Sequence, residues 1–174
     1  IGPQSQLLTR VANAERAVWV WPLEPTYRID LAKMYVQRSE TESDPSQSLD
    51  MAERNLSIAL ASRPLDPLAW SLLADVQAYR SFKLGDREAF SVAEVSYQRS
   101  IELAPNMAAM YVAYGAALFA AGRLDRSVEA LEKATALDTT DAVAWRYLAE
   151  VDRALGRKNE ADLARTWMID FNRQ

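Results

Sequence analysis

The chain has 174 residues, 49% hydrophobic and 25% charged, with a formal net charge of −4; that balance is typical of a globular protein and excludes a general nucleic-acid binder, which needs a basic face against phosphate. It has no cysteine and no histidine, which removes disulfides, thiolate zinc sites, cysteine nucleophiles, the commonest general base and the commonest transition-metal ligand. No run reaches the roughly 18–20 apolar residues that cross a bilayer, and Val18-Trp19-Val20-Trp21, the most apolar short stretch, is far too short.

The chain opens at Ile1 and lacks the basic-then-apolar layout of a signal peptide; we expect a fragment or processed form of a longer protein. Residues 4–21 predict a lone helix, closed at Pro22. Pro22-Leu-Glu-Pro25 then recurs 42 positions later as Pro64-Leu-Asp-Pro67, and the same helix-ending position is filled by Pro105 and Thr139. Between these joints the apolar residues return at steps of three and four, the helical period. Residues 25–66 form a first repeat with a polar, proline-containing loop at 40–48. Residues 67–107 form a second, elongated near 81–90, where Gly85 marks the turn and the flanking helices gain about a turn each. Residues 108–141 form a third and 142–174 a fourth with a C-terminal cap, each pausing at a glycine, Gly122 and Gly156. The alternation predicts nine helices in one domain over 1–174, all-α, built as a right-handed solenoid of stacked antiparallel helix pairs.

The last two copies are spaced by 34 residues: Trp145, Leu148, Ala149 and Asp152 stand where Tyr111, Tyr114, Gly115 and Leu118 stood. This pattern resembles the tetratricopeptide repeat, a helix–turn–helix unit of that length, over about residues 22–172. Numbered from the first helix, the family favours an aromatic at slot four, a large apolar residue at seven, a small one at eight, and an aromatic or Leu at eleven. Its second helix wants small residues at twenty and twenty-seven, an aromatic or Leu at twenty-four, and proline at thirty-two. Here those slots hold Arg28, Leu31, Ala32, Tyr35, Ala52, Leu56, Ala59 and Pro64 in the first repeat, and Trp70, Leu73, Ala74, Gln77, Ala93, Tyr97, Ser100 and Pro105 in the second. The third gives Tyr111, Tyr114, Gly115, Leu118, Ser127, Leu131, Ala134 and Thr139; the fourth ends on Ala161, Arg165 and Met168. Tyr27 beside Arg28 leaves the first register open by one residue. The lone helix places Ala14, Ala17 and Pro22 like the second half of such a unit, and Arg165 with the polar Asn172-Arg-Gln174 suits a solvated terminal helix.

Nothing in the sequence assembles chemistry. The five glycines never cluster into a phosphate loop, and without histidine a serine triad is impossible. Glu40, Glu42 and Asp44 come closest to a cation loop but lack its glycine turn and distal glutamate, so they read as a solvated loop. We expect no enzyme activity, no metal and no cofactor. Trp70 and Trp145 fall at core positions. Trp167 is expected to pack at the C-terminal end. Trp19 and Trp21 have two readings: packing against a missing upstream helix, or contact with a membrane surface or another subunit.

The resemblance implies that slots two, five, nine and twelve of each first helix line a concave groove. That gives Lys33 in the first repeat, Ser71 and Asp75 in the second, Val112, Ala116 and Phe119 in the third, and Arg146, Glu150 and Arg153 in the fourth. The family's carboxylate clamp for chaperone tails is absent, since Leu72, Ala109 and Ala113 stand where Asn, Lys and Arg are wanted. The expected function is a protein-interaction scaffold binding a peptide or partner domain of unknown identity, with no nucleic acid and no direct membrane span. An alternative rests on a resemblance of the Pro-Leu-acid-Pro repeats to the C-terminal tails of bacterial O-antigen polymerases and ligases. It makes the chain a structural appendage, attached to an upstream membrane domain or self-associating through its N-terminal edge.

Overall fold

The Pro-Leu-acid-Pro signature acquires its physical meaning at the helix starts. Glu24 and Asp66 are N-cap residues with extended backbone, and Pro25 and Pro67 take the first helical position, where a missing N–H is harmless. Asp66 Oδ1 accepts the N–H groups of Leu68 and Ala69 at 3.1 Å each, and Asp141 does the same for Val143 and Ala144 at 2.8 and 3.2 Å. Glu24 accepts the Thr26 N–H and hydroxyl; the hydroxyl is the main reason its carboxyl is held below the usual range.

The computed structural model describes residues 3–22, 24–85 and 87–171, side chains at 3, 4, 87 and 168–171 excepted; Leu23, the side chain of Met168 and the terminal Asn172-Arg-Gln174 therefore lie outside the described residues. Among the described residues there are nine α-helices and no strand: α1 (Pro3–Val20), α2 (Pro25–Ser39), α3 (Ser46–Ser62), α4 (Pro67–Leu84), α5 (Arg87–Leu103), α6 (Ala108–Ala120), α7 (Leu124–Leu137), α8 (Ala142–Ala154) and α9 (Lys158–Phe171). The chain divides into two compact bodies, Ile1–Leu103 and Ala104–Gln174. In the first, α2 pairs with α3 and α4 with α5, α1 packs on α2, and α3 on α4. In the second, α6 pairs with α7 and α8 with α9, while α8 packs against both α6 and α7. The architecture is all-α and built of stacked antiparallel helix pairs.

Packing follows the slots closely. Ala32, Ala74 and Ala149 are buried where helices of a pair approach, as are Ala52, Ala59, Ala93, Ser100, Ser127, Ala134 and Ala161 on the second helices. At Gly115 the backbone itself sits against the facing helix: a Cβ there would lie 2.7 Å from Leu131 Cγ. Polar residues at core slots are each partnered. Gln77 donates to Glu53 at 3.2 Å and accepts from Ser96 at 2.9 Å; Ser127 donates to the Gly115 carbonyl at 2.7 Å. Asp152 lies 3.7 Å from Arg157, which also reaches Asp125 at 3.3 Å. Burial raises the Asp152 carboxyl and Arg157 works against that rise. The short turns after α6 and α8 close on Gly122 and Gly156, at φ 72° and 77°. There the following N–H reaches back to Leu118 or Asp152, the bond that completes a left-handed cap.

One contact recurs in every repeat. The slot-four side chain reaches back six residues to the carbonyl at the preceding joint: Arg28 Nε to Pro22 O at 3.1 Å, Trp70 Nε1 to Pro64 O at 2.9 Å, Tyr111 Oη to Pro105 O at 3.1 Å, and Trp145 Nε1 to Thr139 O at 2.8 Å. This fixes the first register on Arg28 and leaves Tyr27 exposed. It also corrects the reading of Trp70 and Trp145 as core residues: both are half-buried, with the ring against the core and the N–H at the joint.

The loop at 40–48 differs from expectation too. Helix α3 begins at Ser46, and Pro45 and Ser48 are buried. Glu42 is not merely solvated: it accepts from Arg38 Nε at 2.7 Å and Ser48 Oγ at 2.6 Å. Asp44 Oδ1 accepts the Ser46 N–H at 3.0 Å. The Glu42 bonds tie both helix ends to one carboxylate, a link that sequence spacing does not reveal. In the second repeat, α4 runs to Leu84, Gly85 is left-handed at φ 68°, and Phe82 and Phe90 face each other at 6.0 Å.

Two substitutions test this packing. Gly115→Ala gains helix propensity of roughly 0.5–1 kcal/mol but must displace Leu131, and overpacking typically costs about 1–3 kcal/mol; we expect a lower urea midpoint at unchanged m-value. Trp70→Phe keeps the ring and removes the joint hydrogen bond, for an expected loss of about 1 kcal/mol by the same measurement. A midpoint equal to wild type in either variant contradicts the assigned role.

Candidate functional site

A first helix that buries slots four, seven, eight and eleven must turn slots two, five and nine the other way, because those positions lie on the opposite arc of a 3.6-residue helix. In the first body this arc becomes a cleft. Thr26, Ile29 and Lys33 from α2 face Leu68, Ser71 and Asp75 from α4 across an open cleft of about 390 Å³. Asp30 and Leu72 join the lining from the same two helices, and Arg63 and Asp66 from the joint between α3 and α4. The structure thus brings together Lys33, Ser71 and Asp75. Sequence reasoning missed their neighbours Thr26, Ile29, Leu68 and Leu72; slots two and five were the available signal for the first three.

The electrostatics of this cleft are uneven. Lys33 pairs with Asp30 at 3.6 Å on its own helix. Arg63 donates to Thr26 Oγ1 at 2.8 Å and lies 3.5 Å from Glu24 and 4.0 Å from Asp66. Asp75 accepts the hydroxyl of Tyr97 from α5 at 2.6 Å and, among the described residues, meets no cation. Its carboxyl is pushed above the ordinary aspartate range; removal from water by the surrounding protein is the larger cause, and the Tyr97 hydrogen bond opposes it. The side chain is nevertheless exposed toward the cleft. The Tyr97 hydroxyl is pushed up in turn, by burial first and then by the Asp75 charge. Ser71 is buried at 6% exposure, a wall of the cleft rather than a free contact.

The remaining sequence-derived groove residues lie in the second body and behave differently. Val112 is buried in a cluster with Ala134 and Ala144, against Tyr111 and Tyr147, so it serves packing. Phe119 is half-buried against the cluster around Leu131 and Leu148. Ala116 and Glu150 are half-buried, and Arg146 and Arg153 exposed. The Arg146 guanidinium sits 4.8 Å from the centre of the Tyr147 ring, a cation–π distance. This body has its own apolar cleft of about 500 Å³, between Ala136, Thr139, Leu148 and the stacked rings of Trp145 and Trp167, 6.0 Å apart.

At the N-terminal edge, Trp19 and Trp21 are 83% and 60% exposed. Helix α1 spends its apolar side, Leu7 and Val11, on the core it shares with α2, and Glu15 accepts the Tyr35 hydroxyl at 2.6 Å. Among the described residues no group of three or more acidic side chains is arranged to hold a metal ion, and no helix is long and apolar enough to cross a membrane.

Comparison with known proteins agrees with the repeat reading. Residues 108–151 match the family model described as a tetratricopeptide repeat. No curated protein matches the chain in sequence. Among solved structures, TTC0263, a thermophilic tetratricopeptide protein of Thermus thermophilus, superposes with a TM-score of 0.77 at 19% identity, covering 96% of this chain and 84% of that one. A MamA fragment from Desulfovibrio magneticus gives 0.71 at 16%, covering 98% and 88%. YrrB, described as a tetratricopeptide protein with an unusual peptide-binding site, gives 0.63 at 19%, covering 96% and 78%. At these identities the likeness is one of fold, and it supports the tetratricopeptide repeat as the building block.

Asp75 generates a pH prediction. A carboxyl raised in the folded state binds its proton more tightly there than in the unfolded chain, so its contribution favours folding below the ordinary aspartate range and is lost as pH rises through the folded value. Asp75→Asn keeps an oxygen for the Tyr97 hydroxyl and removes the charge. We expect Asp75→Asn to melt higher than wild type at pH 7, with the gap closing near pH 3, measured by thermal unfolding across that range. A variant that melts lower at pH 7 and converges only at acid pH would show the opposite sign and sink this account.

Proposed function

We propose that this chain is a non-catalytic interaction scaffold that holds an extended segment of a partner protein against the concave side of its first helices. The fold is one suited to such work: stacked pairs leave one arc of each first helix free of core duties. Fold alone does not assign a function, and the observation that carries the reading is the open cleft between α2 and α4, where slots two, five and nine of two successive repeats converge. Its lining alternates apolar Ile29, Leu68 and Leu72 with charged side chains, the mixture expected where a few anchors sit among polar groups that set orientation. YrrB, of like fold, is described as having a peptide-binding site, which lends the reading support by analogy. The exposed Arg146 and Arg153 of the second body are the charged positions we assign to the same role there.

A second reading, self-association or attachment through the N-terminal edge, is favoured by one observation: Trp19, Val20 and Trp21 all stand exposed at the end of α1. Light scattering on the purified chain addresses it. A dimer that Trp19→Ser dissociates supports self-association, and a monomer at every concentration removes it.

The scaffold reading is tested by comparing proteins retained from an extract of the source cells by wild type, by Leu68→Glu in the cleft and by Val95→Glu outside it. Both leucine and valine are exposed, at 59% and 65%, so neither change should unfold the chain. We expect Leu68→Glu to weaken capture at least about tenfold, equivalent to roughly 1.4 kcal/mol, and Val95→Glu to have no effect. Equal capture by wild type and Leu68→Glu contradicts the use of this cleft.

A further inference from the structure

The cleft of the first body has an electrostatic asymmetry that the scaffold reading does not use. Both cations in its lining are already committed, Lys33 to Asp30 and Arg63 to Glu24 and Asp66. Asp75 is the exception. It sits at the ninth slot of its repeat, faces the cleft, and takes its hydrogen bond from the Tyr97 hydroxyl, with no cation beside it among the described residues. The buried Tyr97 hydroxyl holds this exposed carboxylate in place at the cleft, where its charge is left for an incoming group. The buried Asp152 of the second body, by contrast, has Arg157 beside it. Beside Asp75 lie apolar Ile29, Leu68 and Leu72, which can hold the aliphatic stem of a long basic side chain while its charged end meets the carboxylate.

We propose that Asp75 is the anchor for a lysine or arginine side chain of an extended peptide segment bound between α2 and α4, with flanking apolar residues of that segment seated on Ile29, Leu68 and Leu72. This rests on the scaffold reading and narrows it to a partner chemistry: a basic residue within an otherwise apolar stretch. Charge complementarity chooses the occupant. The lining offers three carboxylates, Asp30, Asp66 and Asp75, against Lys33 and Arg63, and the carboxylate left over points where the ligand lies. Tyr97, bonded from behind, orients it and is a positioning residue. An acidic segment would face an uncompensated repulsion at the same point.

The test is selection from a random peptide library displayed on phage, followed by affinity measurement with the selected peptides by fluorescence polarisation. Wild type is expected to select peptides with Lys or Arg at one fixed position between apolar residues. Changing that base to norleucine should weaken binding about tenfold or more, as loss of a charge-assisted hydrogen bond does. Asp75→Asn, which preserves the Tyr97 contact, should lose the same factor and the preference for a base while keeping the apolar positions. Asp75→Lys should move the preference at that position to Asp or Glu. Peptides selected without a basic position, yet still displaced by Leu68→Glu, overturn the proposal and leave the scaffold reading standing. Undiminished selection for a base by Asp75→Asn overturns it as well. Selection of no peptide at all by wild type overturns it too, and the capture experiment with Leu68→Glu then decides the scaffold reading separately.

Discussion

The contact on which each repeat depends is a reach of six residues, from the fourth position of a first helix back to the carbonyl at the joint before it. Arg28, Trp70, Tyr111 and Trp145 all make it. A chain that ends one helix and starts the next within a few residues leaves backbone carbonyls without helical partners. One side-chain donor at a fixed offset satisfies such a carbonyl. The acidic N-cap and the proline behind it do complementary work on the other side of the joint. Because donor and acceptor lie six residues apart, the bond is a local device made at all four joints, even before α6, whose start has no side-chain cap. Its chemistry tolerates arginine for tryptophan, since both present an N–H on a long, mostly apolar stem.

Once the joints are fixed, the slots inside each pair have little freedom. Small residues are buried where backbones approach, and Gly115 sits where even one methyl group would meet Leu131. The family pattern asks for apolar residues at slot eleven, yet this chain has Gln77 and Asp152 there. Both remain buried because each is given partners, Glu53 and Ser96 for one and Arg157 for the other. Buried polar groups of this kind are acceptable when satisfied. Asp75 is the contrasting case, close to the protein interior on one side and open to the cleft on the other. The difference between Asp152 and Asp75 separates a structural carboxylate from one that we assign to a ligand.

Much of this is legible in the residues alone. The helical period, the order of the helices and the joints at Pro22, Pro64, Pro105 and Thr139 all follow from spacings no longer than about one repeat. The start of α3 is where spacing misleads, because Glu42 looks like one acidic residue among several in a polar loop. Its bonds to Arg38 and Ser48 depend on how two helix ends fold toward each other. Trp70 and Trp145 look like core residues by their slot; the slot is right, but the joint bond keeps them half-buried. The slots name groove residues in every repeat, whereas Val112 packs in a core cluster and Ser71 is buried in the cleft wall.

What the sequence by itself determined is the repeating unit: its helices, its turns and the faces those helices bury. Each of these is set by residues close along the chain, through helix period, capping and the left-handed turns at Gly122 and Gly156. What only the tertiary structure decided is which exposed-side residues meet. Lys33 and Asp75 occupy the same slot in successive repeats and look equivalent in the sequence, yet one is neutralised by its own helix and the other faces the cleft without a cation among the described residues. That distinction depends on distances between residues from different helices, Asp75 to Tyr97 and Arg63 to Thr26. Side-chain reach and packing angle set those distances, and residue spacing does not encode them.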